Sequence, residues 1–193
     1  MNISIQVTIG IVCGIIFGLF AAGASISQKE KEMKNAWDLL VNALNIRYMK
    51  LKNVLTFLNR HMSEFSSEIT SLITLCDEAI DMGIQIKNVK ERLLAENQIN
   101  YKLEGIKINM SNYPSLNGDE EVQKSIQAIA ESEMYVGEAI RRYNSRNLEY
   151  RVFLETFPIT FVAWIMNKND DILPFSVTMA EEFDDNYVDE DEF

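Results

Sequence analysis

The sequence predicts an all-α protein: one N-terminal transmembrane helix, then an antiparallel bundle of long helices, then a disordered acidic tail. Three observations predict it. From Val7 to Ile26 no residue carries a charge, two later segments repeat apolar residues every seven positions, and no segment of useful length alternates with strand period. The 193 residues suffice for one domain of ordinary size beside an anchor. The expected division is 1–28 for the anchor segment, 29–166 for the bundle domain and 167–193 for a linker with the acidic tail.

The apolar run Val7–Ile26 holds 20 residues, which at about 1.5 Å rise per residue matches the roughly 30 Å of a bilayer core. A cleaved secretory signal is the competing reading, since Ala22-Gly23-Ala24 has small residues at the right spacing. Met1–Gln6 lacks the Lys or Arg that such signals open with. Lys29, Lys31 and Lys34 follow the span at once, so the N-terminus is expected outside and the bulk of the chain in the cytoplasm. Gly10, Gly14, Gly18 and Ala22 recur every four residues as a smooth ridge, the small-residue pattern through which anchor helices pair into a homo-oligomer.

Beyond the anchor, Leu44, Leu51, Leu58, Phe65, Leu72 and Ala79 form one seven-residue line, with Leu55, Met62, Ile69 and Cys76 beside it. They predict a helix from about Ala36 to Asp81. A weaker pattern through Ile86, Val89, Leu93, Leu103, Ile106 and Met110 predicts a second helix within 84–110. Gly83 breaks the chain before it; Asn112-Tyr113-Pro114 and Asn117-Gly118 break it after. Val122, Ile129, Val136, Tyr143, Tyr150 and Phe157, with Ile126, Glu133, Ile140, Asn147 and Leu154, predict a third helix from about Asp119 to Thr156. Asp119 is its expected N-cap. Pro158 ends it and can open a short helix. Three long helices in up-down-up order call for a fourth short helix or a neighbouring subunit to complete the bundle.

The formal net charge is −11, yet residues 181–193 alone carry eight acids and no base, leaving 21 acids against 18 bases elsewhere. The acidity is that of the tail, in which Phe183, Tyr187 and Phe193 alternate with the acids, a composition suited to disorder or to docking on a basic protein partner. No basic stripe carries interleaved aromatics, so nucleic-acid binding is not expected. One histidine, no Cys-x-x-Cys and no His-Glu-x-x-His leave no metal constellation, no cofactor and no enzyme class to expect. His61 reads as a helix-surface residue and Cys76 as a small buried one. The two cysteines, Cys13 and Cys76, suggest no disulfide framework.

Glu133 and Asn147 interrupt an otherwise apolar line. They read as polar residues that fix register or oligomer state, or as a polar pocket that binds a ligand. Arg47 occupies an inward slot on the first helix and suits them by charge. On straight helices Glu133 should lie level with residues near Phe65, which places Arg47 instead near the membrane surface, against lipid phosphates or the helix below.

Tyr113-Pro114-x-Leu116, Glu133 ahead of Ala139, Tyr143-Asn144, Tyr150, and Phe157-Pro158 with Ala163 resemble the LemA family of bacterial membrane-anchored helical proteins. Trp37, Arg47 and Asn53 resemble its N-terminal half. Lys52 stands in place of the family's proline, Ile140 in place of an arginine, and Arg151 in place of an asparagine. The resemblance covers most of the chain from the anchor to about Ala163. It implies a single anchor and a helical bundle without an assigned activity.

Overall fold

The structure is a computed structural model in which residues 3–61, 63–83, 85–86, 89–110, 120–168 and 172–176 are described. Helix α1 (Ile3–His61) is followed by a single 3-10 turn (Ser63–Phe65), α2 (Ser66–Asp81), α3 (Val89–Met110), α4 (Glu120–Glu155) and the short α5 (Ile159–Ile165). No strand occurs among the described residues. The breaks expected at Asn112-Tyr113-Pro114 and Asn117-Gly118, the cap at Asp119, and the acidic tail lie outside the described residues, as does Met62.

The apolar N-terminal run and the helix expected to follow it are one element. α1 runs unbroken through the apolar run and past Lys29, Lys31 and Lys34 to His61. Its character changes along its length. Residues from Val7 to Phe20 are exposed on every side, whereas Ile26, Met33, Trp37, Leu40, Leu44, Leu51, Leu55 and Leu58 are buried at helical spacing.

The first bundle helix does not reach Asp81. It stops at His61, and the contact between Lys52 and Asp77 shows that α2 returns along α1. Apolar residues every seven positions continue across the reversal, so the spacing that suggests one helix belongs to two. Ser63, Ser66 and Ser67 are the local signal, since serine competes for backbone hydrogen bonds and favours turns. At the other end of α2, Gly83 takes a φ of 70°, the left-handed conformation that ends helices and that only glycine adopts without strain.

Contacts divide the chain into two compact units. The first comprises Met1–Leu40 with Ala139–Pro174. In it Lys29 lies 3.4 Å from Glu149 and Arg146 lies 3.5 Å from Glu32, while the rings of Trp37 and Tyr143 tilt together at 5.2 Å. Numbers rise along α1 as they fall along α4, so the two run oppositely. The ion pairs are part-exposed and screened by water, so they fix register more than stability. Within this unit Ile172 and Leu173, expected to belong to a linker, accept side-chain hydrogen bonds from α4; Phe175, fully buried, belongs to the second unit. Carbonyls that no regular ladder satisfies find their donors there.

The second unit comprises Val41–Glu138 with Phe175–Phe193. Its core combines Leu44, Leu51, Leu55 and Leu58 of α1 with Ile69, Leu72, Cys76 and Ala79 of α2 and Ile99, Leu103 and Ile106 of α3. Among the described residues Val122, Ser132 and Val136 are the buried ones of α4 within this unit.

Candidate functional site

The second unit buries charge. On α3 the buried positions are Val89, Arg92, Ala95, Glu96, Ile99, Leu103 and Ile106, so two ionisable residues stand in the helix's apolar stripe. Across from them α1 presents the adjacent Arg47 and Tyr48. Both donate to one carboxylate: Arg47 Nη1 to Glu96 Oε1, and Tyr48 Oη to Glu96 Oε2 at 2.6 Å. Arg47 Nη2 also donates to Asn100 Oδ1 at 2.6 Å. Arg92 donates through Nη2 to the Gly83 carbonyl at 2.7 Å and through Nη1 to Asn45 Oδ1 at 3.4 Å.

Desolvation dominates this cluster. Arg47 pairs with the fully buried Glu96 carboxylate, while the buried Arg92 is held by neutral oxygens of Gly83 and Asn45; a charge taken from water must recover its hydration through partners. Glu133 supplies a second negative charge at 3.9 Å from Arg47 Nη2, from a half-exposed position. The Nε atoms of Arg47 and Arg92 are buried without a partner among the described residues. Burial, then the charge of Glu96 and the hydrogen bond to it, push the Tyr48 phenol well above its ordinary value, so it remains a neutral donor. Burial pushes the Cys76 thiol up to about 12, which makes it a poor nucleophile. Glu96 has a donor on each oxygen; to act as a base it would first have to release Arg47 or Tyr48.

Three sequence-based placements are corrected. Arg47 lies inside the second unit, only 4% exposed, and its partners are helices rather than a membrane surface. Glu133 comes within 3.9 Å of Arg47 instead of standing level with Phe65, because α1 ends at His61 and Phe65 belongs to the turn. Glu133 is also exposed rather than inward. Ser132 beside it takes the buried position and donates to the Ile129 carbonyl at 2.7 Å. A helix that is not supercoiled drifts about 20° per heptad, enough over the length of α4 to move the buried face by one residue.

Asn147 is buried in the first unit and donates from Nδ2 to the Ile172 carbonyl at 3.0 Å; its Oδ1 has no partner among the described residues. Glu133 and Asn147 therefore do not form one site: they fall in different units. A Cβ added to Gly10, Gly14 or Gly18 would meet nothing within 4 Å, so that ridge stands open, while Ala22 is half-buried. Of His61 only the backbone is described. Arg92, Glu96, Tyr48 and Asn100 were not singled out from sequence. For Arg92, Glu96 and Asn100 the signal was the weakness of the apolar pattern over 84–110. Among the described residues no three His, Cys, Asp or Glu side chains gather to hold a metal ion.

These features define an all-helical protein with an N-terminal stretch long and apolar enough to cross a membrane and an ion-pair cluster inside its helices. The LemA family model matches residues 36–184, from Ala36 on α1 past residues 172–176. The chain belongs to the LemA family. No curated protein and no solved structure matches it.

Proposed function

We propose that the protein is a membrane-anchored helical scaffold, held by Val7–Ile26 with its N-terminus outside and its antiparallel bundle in the cytoplasm. The observation that carries the reading is the unbroken α1: the helix whose apolar half is exposed on every side continues into the core of the fold. An exposed apolar helix of bilayer length is stable where lipid replaces water, and continuity hands any force or position on the anchor directly to the bundle. The lysines after the span support the orientation. In this reading the protein performs no catalysis, and partners are recruited by the bundle surface or by the acidic residues 181–193.

A cross-linked pull-down with and without residues 181–193 tests recruitment. Loss of partners on truncation supports tail-mediated scaffolding, and indifference moves the contact to the bundle. Protease added to spheroplasts should leave a C-terminal tag uncut, and digestion would reverse the orientation. Pairing of anchors through Gly10, Gly14, Gly18 and Ala22 belongs to the same proposal: Gly14→Ile should weaken dimerisation of the full chain in a membrane reporter assay.

A second reading, a ligand or ion sensor, draws on the Arg47 cluster. Two buried guanidiniums with unpartnered Nε atoms favour an anion over a cation there. Inorganic phosphate or sulfate that raises the melting temperature of the wild type but not of Arg92→Met would support it.

A further inference from the structure

Thr156–Asn167 is a second stretch without charge, bounded by Glu155 and Lys168. It holds the end of α4, the turn at Pro158 and α5. Val162 and Ala163 face into the first unit, whereas Phe157 (86%), Phe161 (53%), Trp164 (68%) and Ile165 (58%) stand exposed on the outer face. Phe161 and Trp164 stack at 6.2 Å between ring centroids. Large apolar rings gathered on an exposed face mark a contact surface rather than chance exposure.

The level of that face along α1 says what covers it. Lys29 pairs with Glu149, and α4 continues from there toward the anchor for six more residues, about 9 Å, to Glu155. On the return, Met166 Sδ lies 3.5 Å from where a Cβ on Gly23 would stand, and Lys168 Nζ then reaches Glu30 Oε2 at 2.7 Å. Both approaches place 156–165 at the level of Gly23 or farther toward the anchor's N-terminus. Gly23 lies within the apolar run, three residues before its end.

We propose that the outer face of α5, with Phe157, Phe161, Trp164 and Ile165, is a second membrane contact that seats in the interfacial layer of the same bilayer the anchor crosses. The proposal rests on the reading of Val7–Ile26 as a span. Tryptophan and phenylalanine suit this layer because a ring sinks among acyl chains while the indole N–H stays near the headgroups. Lys168 and Arg151 flank the stretch with charges that remain on the aqueous side. A one-helix anchor leaves the fold free to swing on the membrane; a second contact beside it fixes the tilt and rotation of the first unit.

The test uses the full chain in phosphatidylcholine vesicles with acyl chains brominated near the headgroups. Trp37 is buried and sits about 16 Å past Ile26, so it is out of reach of the bromines. Brominated lipid should remove roughly half of the tryptophan emission. In Trp164→Phe the remaining emission should be insensitive to bromine, and Phe157→Ser/Phe161→Ser should reduce the quenching of Trp164. Equal emission in plain and brominated vesicles would overturn the proposal. So would an inter-chain disulfide through Trp164→Cys in a Cys13→Ser background together with unquenched wild type, which would assign the face to a second copy. Labelling Cys13 with an impermeant maleimide judges the span separately: Cys13 shielded with Trp164 unquenched rejects the α5 contact alone, and Cys13 labelled with Trp164 unquenched rejects both.

Discussion

Around Arg47, charge is buried against charge, and every partner that decides the outcome is a side chain on a regular helix. Around Asn147 and Tyr143 the buried groups are neutral, and what satisfies them is the main chain of the irregular segment 172–173. In the second unit the cost of removing one partner is set by an ion left without its counter-ion. In the first it is set by a single carbonyl left without a donor, a smaller cost.

The largest expected effect is therefore at Glu96. Glu96→Ala strands the buried Arg47 guanidinium and should cost about 3–5 kcal/mol, read from denaturant unfolding of the full chain in detergent. Replacing Arg47 by Met, Tyr48 by Phe and Glu96 by Leu together removes the partners with the charge and should recover most of that loss. If the triple variant is as unstable as Glu96→Ala, the cluster does not act as an ion pair whose members depend on each other.

Asn147→Leu tests the other side. It removes the donor to the Ile172 carbonyl and should cost roughly 1–3 kcal/mol; a loss as large as that at Glu96 would erase the contrast between the units. Glu133→Leu removes a half-exposed carboxylate that stands 3.9 Å from Arg47, at the edge of ion-pair distance, and should change stability by at most about 1 kcal/mol. Glu133 and Asn147 lie 14 residues apart on α4, about 21 Å, so the double variant should equal the sum of the singles within about 0.5 kcal/mol. A larger deviation would mean that the two positions are coupled after all.

The smallest effect is acid sensitivity in the first unit. Burial raises the Glu30 carboxyl, but hydrogen bonds from Lys168 and Lys34 outweigh it and hold the group below its ordinary 4.5. A depressed native value means that Glu30 contributes stability above its unfolded value, lost as the pH falls through the native one. Melting temperature should fall on acidification below about pH 4.5, and Lys168→Met should make that fall shallower.

The helical character and the long apolar N-terminal helix were legible because composition and period are properties of the chain itself. The long third helix was legible within a residue at each described end, since α4 covers Glu120–Glu155. The reversal near Ser63 was not, because apolar spacing on two helices that share a core can stay in phase across a turn that carries neither glycine nor proline. The polar cluster was hidden for the opposite reason. Arg92 and Glu96 hold positions that a hydrophobic pattern needs, so the helix that carries the cluster was the one with the faintest pattern. Arg47 was noticed, but its partner was sought on α4 when α3 supplies it.

In the proposed arrangement Val7–Ile26 and the buried Met33 and Trp37 of the first unit share one continuous helix, so depth in the bilayer and rotation about the helix axis would be locked to a single count of residues. One residue inserted between Ile26 and Met33 turns everything beyond it by about 100° and shifts it by about 1.5 Å relative to the span. The exposed rings of α5 would then face a different direction from the lipid side of the anchor. Only insertions near whole turns restore the angle, and these raise the fold by about 5 Å or more. The stretch between anchor and core thus behaves as a screw thread, in which pitch and height cannot be set independently.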